Sequence, residues 1–194
     1  MFKKILVATT NFGKLEEYKK FLELIGFEVV SLKDEQINEE APENGNSYTE
    51  IAENKAKFYS KYTHLPLVAE DSGLEIFSLK GFPGINSNRW MVGTDVEKNQ
   101  ALLNKLRNTT DRRAVFKAVI VYLHKKSLVR FEGELYGEIS KKPQGSMGFG
   151  YDPIFYIPSL NKTFAELILM EKNKISHRAH ALQKLASYLK KYHL

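Results

Sequence analysis

The chain has 194 residues, no cysteine and a formal net charge of +6. A chain of this length fits one domain, or one core with two lobes, and buries roughly 70% of its unfolded surface without covalent staples. The lack of cysteine excludes disulfides, thiolate nucleophiles and cysteine-ligated zinc, and suits a reducing cytosol.

The opening segment "MFKKILVATTNFGK" holds only a short apolar run, so neither a signal peptide nor a membrane span is expected there. Lys4–Ala8 reads as a strand. A polar turn, Thr9-Thr10-Asn11, leads into a helix whose Leu15, Tyr18, Leu22 and Ile25 share one face and which Gly26 closes. Backbone N–H groups and the positive end of that helix make the turn a natural anion site, with Lys14 adding charge. The spacing is not that of a Walker loop, and the plainer alternative is a capped helix with Asn11 as its cap. A second strand is expected over Phe27–Leu32. Glu43, in "PENG", is a solvated loop acid unless it meets another acid in space. Ser47 to Glu50 spell a capping box, opening a helix that carries Lys55 and runs to about Tyr62.

The stretch "PLVAEDSGLEIF" is harder to read. Leu67–Glu70 is a buried strand and Leu74–Leu79 a second alternating run. Between them Asp71-Ser72-Gly73 suits a tight turn. It also suits a metal or general-base site on a strand end, because two adjacent carboxylates are costly to bury without a purpose. "KGFPGINSNRW" is a shaped loop. Thr94 to Glu97 repeat the capping box before a helix bearing Leu102, Leu103 and Leu106. Ala114–His124 and Leu128–Ile139 form an antiparallel hairpin about His124-Lys125-Lys126-Ser127.

In "GSMGFGYDPIF" the glycines allow close backbone approach to a ligand. Phe149 and Tyr151 offer faces on which a base can stack, and Asp152 is a polar anchor beside them. Ile154–Ile157 is a short strand. In "EKNKISHRAHAL", Lys172, His177 and Arg178 lie at or before the start of a last helix near Ser176, whose stripe is Leu182, Leu185 and Leu189. Cations there oppose the helix dipole, which points to donors kept for a ligand. His177 with His180 is not a zinc signature. These elements make an α/β protein with helices packed on a long mixed sheet. The basic residues fall in short pairs such as Lys19-Lys20 and Lys190-Lys191, which argues against a dedicated nucleic-acid groove.

Six pieces, "ATTNFGKLEE", "PENG" with Lys55-Ala56, "AEDSGL", "GFPGINSNR", "GFGYDPIF" and "EKNKISHRAHAL", occur in one order between Ala8 and Leu182. In this the chain resembles the inosine triphosphate pyrophosphatase family. The resemblance implies a single domain over residues 1–194, a long mixed β-sheet with helices forming two lobes around a central cleft. It implies hydrolysis of ITP, dITP and XTP to the monophosphate and pyrophosphate. It further implies Mg²⁺ as cofactor, with Mn²⁺ able to substitute, a homodimer, a cytoplasmic location, and a nucleotide rather than nucleic acid or membrane as partner.

By the same resemblance Asp71 activates water, Glu43 and Asp71 hold the metal, and Lys55 is catalytic. Thr9, Thr10, Asn11, Phe12, Gly13 and Lys14 match the phosphate-side turn, and Ser72 contacts substrate. Phe149, Gly150, Tyr151, Asp152, Lys172, His177 and Arg178 match the base pocket. Donors from Lys172, His177 and Arg178 suit a 6-oxo purine. Adenine's 6-amino group would leave them unpaired, at about 1–3 kcal/mol per buried donor.

The chain departs from the family pattern at Thr10, Lys80 and Met147, where glycine is frequent, at Ile51, and at Asn88 and Trp90 beside Arg89. Two other readings compete. One is a pyrophosphatase for other modified nucleotides, as in the septum-inhibitor family. The other is a non-catalytic nucleotide or nucleic-acid binder, which the presence of Asp71, Glu43 and Lys55 together argues against.

Overall fold

Residues 3–192 are described by a computed structural model, in which each strand expected above contributes residues to a mixed sheet. Two compact units divide the chain. The first takes the chain up to Asp71, then Ala118–Gly133, then the chain from Arg178 onward. The second takes Ser72–Lys117 and Glu134–His177.

In the first unit, β1 (Lys3–Ala8) pairs in parallel with β2 (Phe27–Ser31) and with the start of β3 (Leu67–Ile76). The order continues through β5 (Arg113–His124) to β6 (Ser127–Ile139). Helices α1 (Phe12–Glu23), α2 (Tyr48–Tyr59) and most of α5 (His177–Tyr192) complete it. Its core joins Ile5, Val7 and Val68 to Tyr18 and Leu22 of α1 and to Leu182, Leu185 and Leu189 of α5. Those helical residues recur at three to four positions, the spacing that lays one apolar stripe on a sheet.

In the second unit, the end of β3 pairs antiparallel with the short β4 (Phe82–Pro83). The end of β6 pairs antiparallel with β7 (Phe155–Ile157), and β7 with β8 (Lys162–Thr163). Helices α3 (Asp95–Lys105) and α4 (Leu169–Ile175) belong to this unit. Leu74, Ile76, Leu102, Leu106, Phe116, Phe155 and Phe164 make its core.

Local signals set most boundaries. Asn11 caps α1 by accepting from the Lys14 N–H at 2.9 Å. Thr94 and Glu97 form both halves of a capping box on α3. On α2 the Ser47 hydroxyl accepts from the Glu50 N–H, but the Glu50 carboxylate reaches back to the Asn46 N–H rather than to Ser47. The β5–β6 turn is two residues long, with Lys125 at φ 54°.

Some boundaries differ from the sequence reading. The α2 helix stops at Tyr59, three residues short of Tyr62. The run Leu74–Leu79 leaves the sheet at Phe77, which opens a 3-10 turn. The Asp71-Ser72-Gly73 turn is absent, because β3 runs unbroken through it. Among the described residues no helix is long and apolar enough to cross a membrane.

Candidate active site

Successive side chains of a strand point to opposite faces, so an unbroken β3 separates its two acids. Both are 5% exposed, and each meets cations of the first unit. Glu70 accepts two bonds from Arg178, Nε at 2.7 Å and Nη2 at 2.8 Å. It also accepts from the Tyr18 hydroxyl at 2.8 Å and lies 3.2 Å from Lys14 Nζ. The third Arg178 nitrogen, Nη1, donates to Glu17 at 2.5 Å. Two carboxylates thus face two cations. Burial alone would pull the Arg178 pKa down, but Glu70 and Glu17 more than offset it and hold the guanidinium well above its ordinary value. Burial also holds the Tyr18 hydroxyl well above its usual range, so it remains a donor.

Asp71 has a different setting. Its Oδ1 lies 3.3 Å from Lys55 Nζ, and the same ammonium pairs with Glu43. Its Oδ2 is buried with no hydrogen-bond partner among the described residues. Burial pushes its carboxyl up from 3.8 to about 6, against the pull of Lys55 and Lys14. Lys55 comes from the middle of α2, where Ile51, Ala52 and Ala56 pin the helix to the core. Glu43 comes from the irregular segment before α2, with its side chain 35% exposed.

The pair Glu43 and Asp71 already embraces one cationic atom, the Lys55 nitrogen, and Asp71 keeps an unused lone-pair oxygen. That donor set fits a hard divalent cation completed by phosphate oxygens and water. Among the described residues no group of three or more His, Cys, Asp or Glu could enclose a metal alone, so an all-protein cage is not what these residues build.

The second unit holds the loop Gly145–Asp152. Gly148 has φ +79°, and a Cβ there would stand 2.0 Å from Asp152 Oδ2, so only glycine lets that carboxylate close over the loop. Asp152 Oδ2 accepts from the Phe149 N–H at 3.0 Å and from Lys172 Nζ at 2.5 Å. The Lys172 ammonium lies 4.6 Å from the Phe149 ring centre, within cation–π range. His177 stacks on Phe116 with ring centres 4.7 Å apart. Asp152, Lys172 and His177 are each at most 4% exposed.

A strand–turn–helix bearing Lys14, a Lys55–Asp71 pair and a lysine-anchored aromatic loop are thus present in one chain. The model of the Ham1 family matches residues 5–188. A dITP/XTP pyrophosphatase of Thermoanaerobacter pseudethanolicus is 41% identical, with 97% of each chain covered. One of Aquifex aeolicus is 42% identical over 96% of each. The chain belongs to the Ham1 family.

A solved HAM1 protein structure from Coxiella burnetii superposes with a TM-score of 0.88 at 36% identity, covering 98% of this chain and 100% of that one. For this Ham1 chain the structure gathers Lys14, Glu43, Lys55 and Asp71 in the first unit. It gathers Phe149–Asp152, Lys172 and His177 in the second. Ser72 is half-buried within β3. Thr10, Asn11 and Phe12 are exposed, with Phe12 at 74%, while Thr9 and Gly13 are half-buried.

Arg178 differs from the sequence reading, which lent its donors to a purine oxygen. Its Nε, Nη1 and Nη2 all bond carboxylates of the first unit. Glu17 and Tyr18 were missed as members of that group. Glu17 sits beside the apolar stripe of α1, and its partner lies 161 residues away. The readable signal was an acid adjoining a stripe, which demands a cation somewhere in the fold.

Proposed function

We propose that this Ham1 chain hydrolyses altered purine nucleoside triphosphates, ITP, dITP and XTP, to the monophosphate and pyrophosphate, and that the whole chain works as one catalytic domain. The observation that carries the reading is the Glu43–Lys55–Asp71 cluster with its orphaned Asp71 oxygen. The names of the relatives support the substrate class.

Asp71 is the general base. A carboxyl raised to about 6 is mostly ionised at neutral pH, yet more basic than a surface aspartate, which favours proton removal from an attacking water. Its position inside a strand fixes the accepting oxygen. Lys55 and Lys14 supply positive charge for the pyrophosphate leaving group. In the turn Thr9 to Gly13, the Thr9 and Asn11 N–H groups are used locally, by the Val7 carbonyl and the Thr9 hydroxyl, and Thr10, Phe12 and Gly13 present theirs at the head of α1 to phosphate oxygens.

Glu43 and Asp71 are the residues that would hold Mg²⁺, or Mn²⁺ in its place. When bound, such an ion polarises phosphate oxygens and lowers the pKa of a coordinated water. Phe149 supplies a stacking face for the purine, and Lys172 and His177 supply donors toward its oxygen. Arg178 acts in the first unit as the counter-ion of Glu17 and Glu70. Glu70, bonded twice by Arg178, also lies 3.2 Å from Lys14 Nζ and so ties that lysine to the same buried group. A homodimer and a cytoplasmic location accompany this reading through the family resemblance.

The test is pyrophosphate release from ITP, dITP, XTP, ATP and GTP, with Mg²⁺ and after exhaustive chelation. The expected result is metal-dependent turnover of ITP, dITP and XTP well above that of ATP. Equal turnover of ATP would overturn the substrate assignment, and full activity after chelation would overturn the metal.

A further inference from the structure

The loop Phe149–Asp152 is held from two sides. Asp152 and Lys172 hold it from within its own motifs. The other contacts come from residues to which nothing above gives a role. Asp95 Oδ2 accepts from the Gly150 N–H at 2.7 Å. Asn99 Nδ2 donates to the Gly150 carbonyl at 3.0 Å. Asp95 and Asn99 stand four residues apart on α3, the spacing that puts two side chains on one helix face. One face of α3 therefore holds both polar ends of Gly150. The Thr94–Glu97 capping box fixes the first turn of α3 and with it Asp95.

Trp90 adds a third hold. Its Nε1 donates to the Tyr151 hydroxyl at 2.7 Å, and that hydroxyl donates to the Ser87 carbonyl at 2.6 Å. Trp90 is one of the positions at which this chain departs from the family pattern. It is also the only tryptophan in the chain.

Asn99 shows that these holds are not by-products of packing. It is 3% exposed, and its Oδ1 is buried with no hydrogen-bond partner among the described residues. A position kept for packing alone would carry an apolar residue and leave no orphaned oxygen. The amide is retained for what its nitrogen does, which is to hold Gly150. Gly150 itself sits at φ +62°, a conformation that glycine reaches without strain but does not hold by itself, so outside contacts decide which way its peptide groups point.

We propose that Asp95, Asn99 and Trp90 are positioning residues that fix Gly150 and Tyr151 as part of the purine platform, and so set affinity for the base without touching the reacting phosphates. This rests on the reading of the loop as the base site given above. The effect belongs in KM and in nucleotide affinity, because the residues that move protons and neutralise phosphate are others.

The experiment compares wild type, Asp95→Ala, Asp95→Asn and Asn99→Ala, each with its melting temperature. Asp95 is exposed, so its variants keep the fold. For each protein, kcat and KM for dITP are measured with Mg²⁺. The Kd for dITP without metal is read from the emission of Trp90. Asp95→Ala is expected to raise KM and Kd together by about 3- to 10-fold, the net worth of one hydrogen bond, with kcat little changed. Asp95→Asn keeps an oxygen that accepts from Gly150 and is expected to recover most of the affinity. Asn99→Ala is expected to behave like Asp95→Ala.

An unchanged KM in Asp95→Ala overturns the proposal. So does an Asp95→Asn variant no better than Asp95→Ala, or a fall in kcat that tracks a lowered melting temperature. If wild type binds dITP but releases no pyrophosphate, the proposed reaction fails and the Kd series alone decides the positioning role. If wild-type Trp90 emission does not respond to dITP, the platform reading fails and this proposal fails with it.

Discussion

The first unit holds its functional groups with a buried cluster of charges, and the second holds its own with single hydrogen bonds and one ion pair. Around Glu70, two carboxylates and two cations are buried together, and the removal of any one leaves an uncompensated charge. Around Gly150 the contacts are amide, hydroxyl and indole groups, each worth about 0.5–1.5 kcal/mol net, together with the exposed Asp95 carboxylate. The Lys172–Asp152 pair is the buried ionic exception there. The contrast matches the two jobs proposed. A polyphosphate asks for fixed charge whose position tolerates no slack. A neutral purine ring asks for a flat surface and a few aimed donors, which can be tuned in small steps. Damage to the first unit should therefore be abrupt, and damage to the second graded.

The largest effect is expected at Asp71. Asp71→Asn keeps the shape of the side chain and removes the base, so turnover should fall by about 10²–10⁴ while circular dichroism stays that of the folded protein. Near-normal pyrophosphate release from the folded variant would end the assignment.

Next comes the buried ion group. Arg178→Ala leaves Glu17 and Glu70 facing each other without their shared cation, and a loss of about 3–5 kcal/mol is expected from urea unfolding. The exposed pair Arg130–Glu53 is the control, since Arg130→Ala should cost no more than about 1 kcal/mol. Equal losses in the two variants would erase the distinction between the charged core and an ordinary surface pair.

Phe149→Ala should weaken binding by about 1–3 kcal/mol, the worth of one base on one ring. Stacking does not discriminate between bases, so kcat/KM should fall by similar factors for ITP and ATP. A loss confined to ITP would mean that Phe149 positions a donor instead of carrying the ring.

The smallest effect is a pH slope. The folded state raises the Asp71 carboxyl to about 6, chiefly by burial, so the fold binds a proton more tightly than the unfolded chain does. The stability this contributes is fully present below about pH 4 and is lost as pH rises through about 6. In the metal-free protein, the stability difference between wild type and Asp71→Asn should shift in that sense across that window. Lys55→Met removes the main pull on Asp71 and should push its carboxyl higher still, as read by carbon NMR titration.

Much of this was readable before any coordinates. The capping residues Ser47 and Thr94 announce α2 and α3, because a short hydroxyl followed by Glu at the third position satisfies helix-end N–H groups within a few residues. The β5–β6 hairpin is announced by two long alternating runs and a two-residue turn. What escaped depends on partners far away in sequence. Asp-Ser-Gly looks like a turn locally, and it is distant partners such as Lys55 and Arg178 that let an unbroken strand carry both acids there. The strands β4 and β8 are two residues each, too short for any period to appear. Asp95 and Asn99 look like ordinary first-turn and mid-helix polar residues until Gly150 is placed beside them.

The contact between Arg178 and Glu17 has a consequence for how the chain is made. Its two ends are 161 residues apart, so at bacterial-type synthesis rates the acid emerges on the order of ten to thirty seconds before its cation. Until the start of α5 is available, Glu17 and Glu70 lack the guanidinium that accounts for three of their bonds, and burying both as ions is costly. Contacts of such long range form late, after local hairpins and helices. The start of α5 is thus the segment whose arrival lets the charged core of the first unit be neutralised.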